Sequence, residues 1–212
     1  MKSHFRAVLL LAGVAVALPA FAYRYPLSFE EIRNAYFLGR ADDAKRAEFF
    51  DNYARHPAAP KTGPYIDSIL LETPYALVVE RAAAAGNYNA PQAEEEFLNK
   101  PAVARLYVNV ELTDTYGWQL PSPPGTVGYR PDDFWRDFTV RLSQHNKVIK
   151  VLSVAGQPIY SFGDATVGNG LTGAKVWLEY DAEKIDNDRA KVTVLTPDGQ
   201  TIEADFDLTK LK

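Results

Sequence analysis

The chain has 212 residues, with 23 basic against 27 acidic, a net charge of −4 and no cysteine. Lack of cysteine excludes disulfides, thiolate metal sites, cysteine nucleophiles and lipid attachment through an N-terminal cysteine. A mildly acidic chain without a basic block also argues against nucleic acid and anionic membrane as partners.

The first 22 residues read as a secretory signal peptide. Lys2 and Arg6 supply a basic start, residues 7–18 an apolar run, and Pro19-Ala20-Phe21-Ala22 an A-x-A cleavage site. Only 17 uncharged residues separate Arg6 from Arg24, short of the roughly 20 that a spanning helix needs. Cleavage is therefore expected after Ala22, giving a periplasmic or secreted mature chain. It should be soluble, with no transmembrane anchor. Losing Lys2 and Arg6 leaves 21 basic residues against 27 acidic ones, a net of −6.

Residues 23–100 read as mainly helical. Ser28 and Glu31 form a capping box for a first helix, with Leu27 able to staple onto Ile32 and Gly39 at its end. A second helix is expected from Asp42 to Arg55, burying Ala47, Phe50 and Ala54. Residues 65–72 carry strand-type side chains. Thr73-Pro74 is an N-cap and N1 pair for a third helix reaching Ala85, although residues 75–79 could also extend the strand. Asn89-Ala90-Pro91 starts a fourth helix before Pro101.

The pattern changes period in residues 101–212. Leu106, Val108, Val110 and Leu112 alternate with polar residues, as do Phe138, Val140 and Leu142. Residues 147–155 and 174–180 supply further strands, and residues 190–208 a hairpin turning at Pro197-Asp198-Gly199. The expected fold is α+β: an N-terminal helical part packed on a C-terminal antiparallel β-sandwich of immunoglobulin-like type.

Motifs for chemistry are sparse. His56 and His145 are the only histidines of the mature chain, and no G-x-S-x-G elbow or phosphate loop occurs. Asp132-Asp133 would need a distant carboxylate for glycosidase chemistry. Asp181, Glu183, Asp186 and Asp188 crowd one connection, where calcium is the cation such oxygen ligands would hold. A solvated, turn-rich loop is the preferred account, with Lys184 and Arg189 lying among the acids.

Residues 115–135 form a long connection rich in proline and aromatics. Tyr116, Trp118, Tyr129, Arg130 and Trp135 are the candidate ligand-binding residues there, for a protein or carbohydrate partner. Packing of the same aromatics into the core is the competing account. The sequence thus points to an exported binding or structural module of a bacterial-type cell envelope. The alternative is an exported hydrolase using acidic residues.

Overall fold

Each of the four helices begins on a side-chain cap that the sequence supplies. The computed structural model describes residues 23–162 and 169–212; the proposed leader, and Gly163 and Gly168, lie outside the described residues. In α1 (Phe29–Gly39) the Ser28 hydroxyl accepts the Glu31 N–H, and the Glu31 carboxylate accepts the Ser28 N–H. Such a cap stabilises a helix by about 1 kcal/mol. Asp42 caps α2 (Asp43–Asp51), Thr73 caps α3 (Pro74–Ala84), and Asn89 with Gln92 closes a second capping box on α4 (Ala90–Asn99). The Thr73-Pro74 start thus decides residues 74–84 for helix.

Gly39 closes α1 as expected, without the positive φ of a left-handed cap, and lies where a Cβ would collide with the Val79 carbonyl of α3. Glycine there lets α1 and α3 pack closely. The second helix stops at Asp51, four residues early, because buried Tyr53 turns the chain into β1 (Ala54–Arg55). Ala54 then pairs with Leu70, and Ala47 is exposed rather than buried.

The first sheet has the order β1-β2-β3-β9-β8, all antiparallel, with β2 Tyr65–Glu72, β3 Val103–Glu111, β8 Val151–Phe162 and β9 Asn169–Asp181. Its strand β2 comes from the mainly helical part and pairs with β3, with α3 and α4 between them in the chain. The second sheet, β11-β10-β6-β7, uses β6 Thr139–Gln144, β7 Lys147–Val148, β10 Arg189–Leu195 and β11 Thr201–Asp207. Between β3 and β6 in the chain lies the small hairpin of β4 (Gln119–Leu120) and β5 (Gly128–Tyr129). The strand expected over residues 147–155 is two strands: β7 belongs to the second sheet and β8 to the first. The break falls at Ile149-Lys150.

Both sheets feed one apolar core. Leu106, Val108, Val176 and Leu178 of the first share it with Leu142, Val192, Val194 and Phe206 of the second. A smaller cluster, including Ile32, Ala35, Val78, Val79 and Ala93, holds α1, α3 and α4 together. The fold is therefore α+β, four helices with antiparallel sheets. Among the described residues, no helix is long and apolar enough to cross a membrane.

Candidate functional site

The proline-rich connection builds a stiff projection. β4 and β5 pair with Gln119 opposite Tyr129 and Leu120 opposite Gly128, and Arg130 donates its N–H to the Trp118 carbonyl at 2.7 Å. Inside the turn the Ser122 hydroxyl accepts the Gly128 N–H at 2.8 Å and donates to the Leu120 carbonyl at 3.0 Å. Thr126 donates its hydroxyl to the Pro123 carbonyl, and Gly125 adopts the positive φ that closes the loop.

On this hairpin Trp118 and Tyr129 stack, with ring centroids 4.8 Å apart and planes 11° from parallel. They are 40% and 55% exposed, and Leu120 and Val127 are exposed beside them. Four large apolar side chains thus face solvent on one short projection, a pattern that marks contact surfaces.

The other three candidate residues lie elsewhere. The Arg130 guanidinium sits 3.6 Å over the Tyr116 ring and donates to the Gly117 carbonyl, so it fastens the hairpin base. Tyr116 is half-buried, edge-on to Phe138. Trp135, only 7% exposed, lies in the short 3-10 turn Phe134–Asp137 and packs over Gly156. The structure brings Trp118 and Tyr129 together and gives Trp135 to the core.

The acidic connection does not gather its four side chains. Asp181 caps the turn Ala182–Lys184 by accepting the Glu183 N–H. Asp188 accepts from the Arg189 N–H and lies 2.9 Å from His145 Nε2, while Asp186 lies 3.6 Å from His145 Nδ1. Hydrogen bonding to Arg189 and His145 holds the Asp188 carboxyl below its ordinary range. Among the described residues, no three His, Asp or Glu side chains form a metal-binding group. His56, the other histidine, has Nδ1 3.1 Å from the Asp67 carbonyl oxygen.

A second feature escaped the sequence reading. On the face of the first sheet away from the shared core, Glu72 lies directly across from Arg105, and Tyr107 across from Trp177. Arg105 is held by the Glu179 carboxylate at 3.0 Å, the Tyr107 hydroxyl at 3.1 Å and, more loosely, Glu80 at 3.7 Å. Lys175 sits 4.0 Å over the Tyr107 ring. Glu72 itself is buried, and its Oε2 has no hydrogen-bond partner. Burial, reinforced by the negative charge of Glu80, pushes its carboxyl up to about 8 against the pull of Arg105 and Lys175. Burial thus favours the protonated, neutral form of Glu72 over its carboxylate.

A cavity of about 550 Å³ opens next to this face, between α3, α4 and the start of β3, lined by Leu77, Glu80, Arg81, Phe97, Val103 and Arg105. Period-two placement of Ser68, Leu70 and Glu72 against Asn109, Tyr107 and Arg105 was the signal for this cluster. Arg105 and Tyr107 had the spacing of an ordinary solvated face.

No protein-family model matches the chain, and no curated protein is significantly similar to it.

Proposed function

We propose that the chain is an exported binding module of the cell envelope that holds a partner protein against Trp118 and Tyr129. One observation carries this reading: two stacked, exposed aromatic rings stand on a hairpin stiffened by Pro121, Pro123 and Pro124. Rigid aromatic anchors contribute large contact area with little side-chain entropy to lose. The neighbours favour protein over carbohydrate. Leu120 and Val127 extend the apolar surface, while Ser122, Thr126 and Arg130 spend their polar groups within the hairpin. A sugar would need those groups for its hydroxyls. Two antiparallel sheets sharing one core also support an immunoglobulin-like sandwich as the scaffold.

The test is capture from the native envelope with the parent chain and with Trp118→Ala, alongside a glycan panel. The expected result is a protein retained by the parent and lost in the variant. Equal retention by both overturns the assignment to the hairpin, and a glycan that needs Trp118 overturns the partner class. Export itself is tested by sequencing the N-terminus of protein recovered outside the cytoplasm, which should begin at Tyr23.

A hydrolase using acidic residues is the second reading, favoured by Glu72, whose carboxyl is raised by burial and which lies across the sheet from Arg105 of the cavity wall. Such an acid can donate a proton to a leaving group. Its neighbours supply no obvious base, since Arg105 engages both Glu80 and Glu179. Hydrolysis of a chromogenic glycoside or ester that is lost in Glu72→Gln would establish this reading over the first.

A further inference from the structure

We propose that the cavity between α3, α4 and the start of β3 binds a small zwitterion with an apolar body, either an amino acid or a peptide of a few residues with free ends. It lies at the start of β3, whereas the hairpin of Trp118 and Tyr129 follows the end of that strand, and it does not depend on the hairpin's assignment.

Helical spacing sets the main wall. Pro74, Leu77, Arg81 and Ala84 recur at three- and four-residue steps along one side of α3, with Glu80 beside Arg81. Another side of the same helix, with Val78, Val79 and Ala82, packs in the cluster that joins α1 and α4. Phe97 comes from the last turn of α4 and Val103 from the start of β3. Leu77 is only 6% exposed, yet neither it nor Val103 belongs to either apolar core cluster. Their apolar surface faces the cavity instead. At about 550 Å³, with apolar walls and a few charged groups, it has the dimensions and lining of a small-molecule site.

Charge then selects the ligand. Of the five charged residues on the walls, three are held by short hydrogen bonds. Lys100 donates to one Glu96 oxygen at 2.9 Å and the Tyr88 hydroxyl donates to the other, while Arg105 donates to Glu179 and to Tyr107. Glu80 and Arg81 are held more loosely. Glu80 meets Arg105 at 3.7 Å, and Arg81 meets Glu96 at 3.6 Å while resting over the Tyr88 ring. Both distances exceed hydrogen-bond length. A carboxylate and a guanidinium with capacity to spare thus face one cavity from consecutive residues of α3. A ligand with a single charge would satisfy one and oppose the other. An α-ammonium donating to Glu80 and a carboxylate accepting from Arg81 satisfy both, and Leu77, Phe97 and Val103 take the apolar side chain.

The experiment is isothermal calorimetry of the purified protein with L-phenylalanine and with L-leucyl-L-phenylalanine, each also supplied N-acetylated and C-amidated. One saturable site per chain is expected, and the tighter of the two free probes distinguishes amino acid from peptide. Acetylation and amidation should each weaken binding about tenfold or more, the scale of a lost hydrogen bond to a charged group. Glu80→Gln should weaken the free probe by a similar factor but leave the acetylated one unchanged. Arg81→Gln should do the same for the free and amidated pair. Ala84→Phe, at an exposed helix position on the wall, should weaken every probe by filling the cavity. Circular dichroism checks that the variants fold. No saturable binding of either free probe up to about 10 mM overturns the proposal. So do blocked probes that bind as tightly as free ones, variants that fail to distinguish the two ends, or full binding by Ala84→Phe.

Discussion

The indole of Trp135 packs so closely over Gly156 that a Cβ added to the glycine would meet ring atom Cδ2 at 2.5 Å and Cε2 at 2.7 Å. The contact locks the 3-10 turn Phe134–Asp137 onto β8 and covers part of the gap between the sheets. Gly156→Ala should therefore lower stability by roughly 1–3 kcal/mol, the usual cost of overpacking. Urea unfolding measures it. Trp135→Phe in the same chain should recover part of the loss, since the clash is with the larger ring.

Glu72 predicts a pH dependence with a definite sign. Its folded value near 8 lies above the ordinary 4.5, so the folded chain keeps a proton that the unfolded chain releases. This contribution is fully present below pH 4.5 and is lost as pH rises through 8, at up to about 1.4 kcal/mol per pH unit. Glu72→Gln should flatten that slope and exceed the parent in stability above pH 8. Parallel profiles for the two proteins would assign the titration to another group.

The tryptophans should separate cleanly. Trp118→Ala should change stability by no more than about 0.5 kcal/mol, as expected of an exposed side chain. Trp135→Ala should cost about 3–5 kcal/mol by opening a core cavity. Acrylamide quenching of the remaining indole fluorescence should drop in the first variant and persist in the second.

Tyr53 joins the end of α2 to the last described residue. Its hydroxyl donates to the Lys212 carbonyl oxygen at 3.0 Å and accepts the Lys212 N–H at 2.9 Å, and Thr73 donates to the same oxygen. Tyr53→Phe should cost about 1–2 kcal/mol, because it removes both hydrogen bonds between the hydroxyl and Lys212. Amide exchange should show the loss concentrated at residues 208–212.

Local chemistry was the legible part of this chain. Ser28 with Glu31 and Thr73 with Pro74 announced their helices, and the β10–β11 hairpin pairs Val192 with Ala204 and Val194 with Ile202, as the apolar alternation implied. His145 and Asn146, both at positive φ, make the tight turn between β6 and β7. Errors arose where a distant partner overruled a local pattern. Helical spacing through Arg55 lost to the pairing of Ala54 with Leu70, and the continuous apolar run after Lys147 concealed a change of sheet.

The candidate site divides in the same way. Proline and aromatic density located the hairpin, but nothing in the sequence distinguished exposed Trp118 from buried Trp135. That difference depends on Gly156, some twenty residues further along the chain, coming underneath one of them. Glu72 closes the strand-type stretch of residues 65–72 with nothing local to mark it as buried. Its burial follows from the elements stacked around it, which no window of sequence contains.

Tyr23, the first described residue, donates its N–H to the Leu208 carbonyl at 3.0 Å and its hydroxyl to the Ala182 carbonyl at 2.7 Å, with its ring buried. A protease that cuts after Ala22 must instead hold this stretch extended in its own cleft. On the proposed export route, processing and folding therefore compete for the same residue and can be satisfied only in one order. The leader is removed while the chain is still open, and Tyr23 then settles between the ends of two sheets. A chain that folded first would bury Tyr23, so on that route maturation requires cleavage before Tyr23 closes on Leu208.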